Sequence, residues 1–135
     1  MRIYWLRVLL GGFLIEVVLA IVLLGGFAAA GVDISKGVST ASALIIGVGC
    51  FAVAFLIVLW LGRGMASHVV LNGFLMGLVA TLLYIGLVAG SGQMSSALAA
   101  YGTATFVIVN AVRIVGAVCG GIACERRKAA RPAML

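Results

Sequence analysis

Four long apolar runs, separated only by short polar breaks, constrain what this chain can fold into. They cover about 4–30, 40–61, 69–90 and 98–124, and each exceeds the roughly 18 residues that a helix needs to cross a bilayer. The runs are continuous, whereas barrel strands alternate in short segments, and backbone groups in lipid must be hydrogen-bonded within the segment. The sequence therefore predicts an all-α polytopic membrane protein with a single four-helix transmembrane domain over 1–135.

The composition agrees with that fold class. Hydrophobic residues make up 65% of the chain, charged residues 9%, and the mean hydropathy is +1.35. The breaks at 31–39, 62–67 and 91–95 are too short to hold a soluble domain. The first run is far longer than the ~7–15 residues of a signal-peptide core, so it is expected to be a retained helix.

Nearly all basic residues lie on one side of the predicted spans. The breaks alternate between the two sides of the membrane, and only Lys36 lies on the less basic side. Because cytoplasmic segments carry an excess of Lys and Arg, the N- and C-termini are both predicted to be cytoplasmic. The basic residues on that side are Arg2, Arg7, Arg63, Arg126, Arg127, Lys128 and Arg131.

The formal net charge of +6 is explained by this topology. The basic tail, 125–135, directly follows a span, where Lys and Arg gain from anionic lipid headgroups. No aromatic residues interleave with the tail to stack on bases, so a nucleic-acid partner is not predicted. Membrane lipids are the expected partners of the tail.

The first and third runs resemble each other. When 7–25 is placed over 68–86, an offset of 61, seven of nineteen positions are identical. The second and fourth runs match less well. This pattern predicts a duplication of a two-helix hairpin, which would be parallel, with its pseudo-axis along the membrane normal.

Small residues recur at four-residue spacing in three of the runs. This spacing lets two helix backbones approach closely, so it predicts helix-packing faces. By the offset of 61, Glu16 holds the place of Gly77 and is expected to face protein instead of lipid. The predicted packing glycines are Gly12, Gly73, Gly77, Gly116 and Gly120.

Two opposite charges stand deep inside the predicted spans. Glu16 lies ten residues from Leu6, and Arg113 ten from Ala123, so each is roughly 15 Å from the same end of the bundle at ~1.5 Å per residue. An isolated charge there costs at least ~2.5–3.5 kcal/mol, which favours an ion pair. Asn110, three residues before Arg113, is on the same helix face and completes the predicted polar site.

Known catalytic and metal-binding patterns are missing from the sequence. It has no nucleophile elbow, no zinc-protease motif, no phosphate loop and no paired carboxylates, so no enzyme activity is expected. His68 stands alone near a helix start, where a headgroup contact is the simpler interpretation. Cys50, Cys119 and Cys124 lack metal-binding spacing, so neither a cofactor nor a metal site is predicted.

Two stretches, 62–84 and 113–127, carry a glycine-containing turn, a helix with glycines four apart and a glycine-rich last helix. In this they resemble the small uncharacterised four-helix bacterial membrane proteins of the YrzE-like type. The resemblance covers the second half of the chain. It implies the four-helix fold and a bacterial inner membrane, and it assigns no functional residues.

Two functions remain open from the sequence. The first is a structural or accessory membrane protein that assembles through its glycine-rich faces, as a homo-oligomer or in a larger complex, with the Glu16–Arg113 pair fixing helix register. The alternative is a small transporter or channel subunit that uses Glu16 as a proton or cation site. A dry ion pair favours the first function, and a cavity that reaches Glu16 favours the second.

Overall fold

The computed structural model describes residues 3–30 and 39–130, except for the side chains of 24 and 27–30. Every regular element in these ranges is a helix, which confirms the predicted all-α class. In chain order the helices are α1 (Trp5–Ala30), α2 (Thr40–Gly62), α3 (Val69–Gly90), α4 (Met94–Tyr101) and α5 (Thr103–Ala129).

Four of these helices, α1, α2, α3 and α5, are long and apolar enough to cross a membrane. Their outer surfaces are as apolar as their inner ones. Leu6 is 82% exposed and Leu87 67% exposed, and many other large apolar side chains also point outward. An apolar outer surface of this extent suits lipid and not water, so the chain is a small multi-pass membrane protein.

The long helices form a four-membered ring in the order α1, α2, α5, α3. Contacts are extensive between α2 and α5, α3 and α5, and α1 and α3, and smaller between α1 and α2. Helices α1 and α5 therefore lie diagonally opposite each other, as do α2 and α3. The buried core between them is made mainly of Ile15, Leu19, Cys50, Ala54, Val58, Met76 and Ala117.

This ring does not have the pseudo-axis along the membrane normal that was predicted for the sequence repeat. Helix α1 lies beside its counterpart α3, and α2 lies beside α5. A rotation of 180° about the membrane normal exchanges diagonal members of a four-helix ring, so counterparts would have to be diagonal. The two hairpins instead lie side by side, because the glycine-containing faces pack α1 onto α3 and α2 onto α5.

The fourth span differs from its predicted range at both ends. It begins at Thr103 and not near 98, because Gly102 has φ of +72°, a conformation that favours glycine, and separates it from α4. It continues through Ala129, so the first part of the predicted basic tail is helical. Arg126, Arg127 and Lys128 occupy its last turn, where cations interact favourably with the helix dipole.

Two tail residues cap the neighbouring helices. The Glu125 carboxylate accepts hydrogen bonds from the backbone N–H groups of Val69 (2.8 Å) and Val70 (3.3 Å) at the start of α3. One helical turn later, the Lys128 ammonium donates to the carbonyl of Gly62 (2.8 Å) and to that of Met65 at the end of α2. Helix termini leave such groups without intrahelical partners, so α5 stabilises the turn between α2 and α3.

Helix α1 is fixed at the same end of the bundle by Asn72. The Tyr4 backbone N–H donates to Asn72 Oδ1 (2.9 Å), while Asn72 Nδ2 donates to the His68 carbonyl (2.8 Å). Asn72 is fully buried, so both hydrogen bonds satisfy a side chain that would otherwise be costly to bury. This end, which carries the start of α1 and the α2–α3 turn, is called the basic end below.

Candidate intramembrane ion-pair site

The position of α5 is set by glycines that let its backbone approach α2. A Cβ atom added to Gly116 would lie 2.5 Å from the Phe51 carbonyl oxygen, and one added to Gly120 would lie 2.5 Å from that of Phe55. Real Cβ atoms do not approach so closely, so only glycine fits at both positions. The small-residue spacing in α5 therefore serves contact with α2 within the same chain.

The other predicted packing glycines also face helices of this chain. A Cβ on Gly73 would lie 2.7 Å from the Ala117 carbonyl oxygen, and one on Gly77 would lie 3.0 Å from the Ala117 Cβ, both at the α3–α5 contact. A Cβ on Gly12 would lie 2.5 Å from Val79 at the α1–α3 contact. All five glycines thus pack inside the bundle, where they place Glu16 and Arg113 on opposite sides of its centre.

Glu16 and Arg113 meet across the diagonal of the ring. Arg113 Nη1 donates a hydrogen bond to Glu16 Oε1, and the two groups form an ion pair. The Arg113 side chain is only 4% exposed, whereas the Glu16 side chain keeps 12% exposure. The pair therefore joins two helices that are otherwise not adjacent, and its acidic member is the more accessible one.

Arg113 also interacts with α3. Its Nη1 lies 3.4 Å from the Ala80 carbonyl oxygen, and its guanidinium carbon lies 5.0 Å from the centre of the Tyr84 ring. The second distance is within the range of a cation–π interaction. The buried Cys50 of α2 lines the same space. The Arg113 guanidinium is thus surrounded by side chains or backbone of all three other long helices.

Asn110 lies on the same face of α5 as Arg113, and its amide nitrogen forms a hydrogen bond within that helix. Its Nδ2 donates to the Phe106 carbonyl of its own helix (2.8 Å), and its Oδ1 is buried without a hydrogen-bond partner among the described residues. Arg113 Nε is likewise buried without a partner in that part of the chain. An unpaired acceptor and an unpaired donor therefore lie three residues apart, on one face of α5.

A cavity of about 230 Å³ extends from the ion pair towards the end of the bundle that carries α4. Glu16, Asn110 and Arg113 contribute its polar groups, and Tyr84 and Tyr101 contribute aromatic rings. The volume is large enough for several water molecules or a small solute. The two unpaired atoms of α5 belong to side chains that line this cavity.

Helix α4 contributes to the cavity wall through Tyr101. Burial raises the pKa of the Tyr101 hydroxyl, and the neighbouring Cys50 raises it further. The phenol therefore stays neutral across the physiological range and can both donate and accept a hydrogen bond. Tyr84 packs against Phe106 with ring centres 5.8 Å apart, which fixes the ring that faces Arg113.

The remaining predicted residues lie elsewhere. His68 is exposed at the basic end in a left-handed conformation with φ of 53°, and Cys50, Cys119 and Cys124 are free thiols. No group of three His, Cys, Asp or Glu side chains suited to a metal occurs in the part of the chain that the structure describes. Lys36 and Arg131 lie outside the described residues.

Sequence reasoning missed two contributors to the site, Tyr84 and Tyr101. Tyr84 is eight residues after Met76 in an apolar run, and Tyr101 precedes a glycine, so neither has a distinctive pattern. Cys50 was considered as a metal ligand, and its spacing from the other cysteines argued against that role. The one available signal was depth. Tyr84 lies inside the predicted span 69–90, which places its hydroxyl within the membrane.

Compared with models of protein families, with curated proteins and with solved structures, the chain matches none of them. The resemblance to YrzE-like proteins stays a prediction. Function is therefore inferred from the geometry of the ion pair and its cavity.

Proposed function

We propose that this membrane protein is a small transporter or channel subunit in which Glu16 binds a proton or a small cation. The observation that carries the proposal is the cavity of about 230 Å³ at the ion pair. A pair that only fixed helix register needs no open space beside it, whereas a carboxylate that exchanges protons or cations needs a cavity through which they reach it. Charged residues inside spans also commonly mark ion or substrate pathways.

The surroundings of Arg113 support an exchange at Glu16. When a proton or cation neutralises the carboxylate, the guanidinium loses its ionic partner. The Ala80 carbonyl at 3.4 Å and the Tyr84 ring at 5.0 Å are already in place to interact with the released cation. Glu16 is also the more exposed member of the pair, so it is the group that an ion from the cavity reaches first.

A structural role of the same pair is the second candidate, and one observation favours it. The pair joins α1 to α5 across the ring, which links helices that do not pack directly over their described residues. The five predicted packing glycines give less support to an accessory role in a larger complex, because their faces are occupied by helices of this chain.

The two functions are separated by measuring transport and folding together. The protein is reconstituted in liposomes containing a pH-sensitive or a potassium-sensitive dye, and proton or potassium flux is recorded for the wild type, Glu16→Gln, and the double variant Glu16→Gln with Arg113→Gln. We expect flux from the wild type and at least a tenfold lower flux from both variants. The double variant should nevertheless fold normally, because both charges are removed and no buried charge remains without a partner.

Two results would contradict the transport proposal. A wild type without flux, or a double variant with wild-type flux, would overturn the transport proposal and leave the structural role. Thermal unfolding in detergent, measured on the same preparations, distinguishes lost transport from lost folding.

The cellular setting is part of this proposal. The resemblance to YrzE-like proteins supports a bacterial inner membrane, and the asymmetry of the basic residues supports cytoplasmic termini. In that orientation the cavity lies on the outer side of the Glu16–Arg113 pair, so ions enter from outside the cell.

A further inference from the structure

A second polar recess lies at the basic end, between α2 and α5. It measures about 280 Å³, and three of its five lining residues are cationic: Arg63, Arg127 and Lys128. Leu59 and Cys124 form its apolar part. No carboxylate lines the recess in the part of the chain that the structure describes.

The positive charge of the recess is not neutralised by the neighbouring acidic residue. Glu125 is directed to the backbone N–H groups of Val69 and Val70 on α3. Lys128 donates to two backbone carbonyls, which are uncharged partners and leave its net charge in place. Arg63 and Arg127 are both exposed. The recess therefore presents three cations to its surroundings.

The position of the recess along the helices indicates what kind of anion fits. Leu59 and Cys124 lie within apolar helices that can span a membrane, whereas Arg63 immediately follows α2 and Arg127 lies in the last turn of α5. The recess is thus apolar on its membrane side and cationic on its aqueous side. A phospholipid matches this arrangement, because its acyl chains are apolar and its phosphate is charged.

We infer that this recess binds the phosphate of an anionic phospholipid headgroup. Arg63 and Arg127 can each donate two parallel hydrogen bonds to phosphate oxygens, and Lys128 adds a third charge from a position fixed by its carbonyl contacts. The glycerol region and the upper acyl chain lie against Leu59 and Cys124. This site is separate from the cavity at Glu16 and does not depend on the proposed transport function.

The chain offers a matched control for this site. Arg126 and Arg127 are adjacent, both are exposed, and both carry one positive charge, but only Arg127 lines the recess. Lys128 is left unchanged in the experiment because it also caps α2. The variants are Arg127→Gln, Arg126→Gln, Arg63→Gln, the double variant Arg63→Gln with Arg127→Gln, and Arg127→Lys.

Binding is measured by native mass spectrometry of the detergent-solubilised protein with added phosphatidylglycerol, and with phosphatidylcholine as the uncharged comparison. We expect the wild type to prefer phosphatidylglycerol. Arg63→Gln and Arg127→Gln should each weaken its binding about fivefold, and the double variant about 25-fold, from ~1 kcal/mol per cation and 1.4 kcal/mol per tenfold change. Arg126→Gln should weaken it less than twofold. Arg127→Lys should weaken it less than Arg127→Gln does, because lysine keeps the charge but cannot donate the two parallel hydrogen bonds.

Three outcomes would overturn the inference. Equal losses in Arg126→Gln and Arg127→Gln would mean diffuse attraction to the tail and not a site. Equal binding of the two lipids by the wild type would exclude selection of an anionic headgroup. Displacement of phosphatidylglycerol by inorganic phosphate at an equal concentration would mean that the recess recognises free phosphate. Thermal unfolding of each variant establishes that it is folded.

Discussion

Glu16 and Arg113 form an ion pair between α1 and α5, two helices that lie on opposite corners of the four-helix ring. Three of the four adjacent helix pairs, α1–α3, α3–α5 and α2–α5, are joined by close backbone packing at glycines. The diagonal pair is joined by charge, at a depth where the surrounding medium is apolar. The ion pair at the centre of the bundle therefore links two helices and is also the candidate functional site.

The first prediction concerns the energetic coupling of this pair. Glu16→Gln or Arg113→Gln alone should lower the free energy of unfolding by about 3–5 kcal/mol, because each leaves a buried charge without its partner. The double variant should recover most of that loss. The free energy of unfolding of the wild type, the two single variants and the double variant is measured in mixtures of detergent and denaturant. Additive losses would show that the two side chains do not interact energetically.

A second prediction concerns the unpaired amide in the cavity. Asn110→Leu removes a buried Oδ1 without a described partner and fills part of the space beside the pair. The free energy of unfolding should stay level or rise by up to about 1 kcal/mol. Ion flux in liposomes should fall, because the cavity loses volume and a polar group. Unchanged flux would mean that the cavity is not part of an ion pathway.

The glycines of α3 allow a matched test of packing. A Cβ on Gly77 would lie 3.0 Å from Ala117 and Ile114, whereas a Cβ on Gly86 would meet nothing within 4 Å. Gly77→Leu should therefore cost about 3 kcal/mol or more through overpacking. Gly86→Leu, in the same helix, should be neutral or stabilising, since leucine favours helix more than glycine does. Equal tolerance at both positions would contradict the α3–α5 contact.

The cap at the start of α3 gives a fourth prediction. Glu125→Ala removes the acceptor for the Val69 and Val70 N–H groups, so it should cost about 1–2 kcal/mol. Hydrogen exchange at those two amides should become faster. Arg126→Ala, at the adjacent exposed position, should leave both quantities nearly unchanged. Slow exchange at Val69 in the Glu125 variant would show that the cap contributes little.

The orientation in the membrane is tested by labelling with a membrane-impermeant thiol reagent. Ala66→Cys places a thiol on the exposed α2–α3 turn, and Gln93→Cys places one on the exposed turn before α4. If the termini are cytoplasmic, intact cells should be labelled at position 93 and not at position 66. The reverse pattern would invert the predicted topology. The native cysteines lie within the helices, and the unmodified protein serves as the background control.

The sequence alone determined the features that depend on local chain chemistry. The number and approximate extent of the spans followed from apolar length, because a helix that crosses a bilayer needs a minimum number of residues. The equal depth of Glu16 and Arg113 followed from counting residues at a fixed rise. The role of the glycines in close packing followed from their spacing, although the sequence did not indicate which helices they contact.

The tertiary structure decided everything that depends on how the helices are rotated and arranged around one another. These helices are apolar on most sides, so their apolar pattern does not specify which face points inward, and the glycine spacing marks a packing face without naming its partner helix. Only the packed bundle places α1 diagonal to α5 and leaves a cavity that Tyr84 and Tyr101 line together with Asn110 and the ion pair. Glu125 and Lys128 likewise become caps only because α5 ends beside the α2–α3 turn, and such contacts between distant residues are set by packing and not by local sequence.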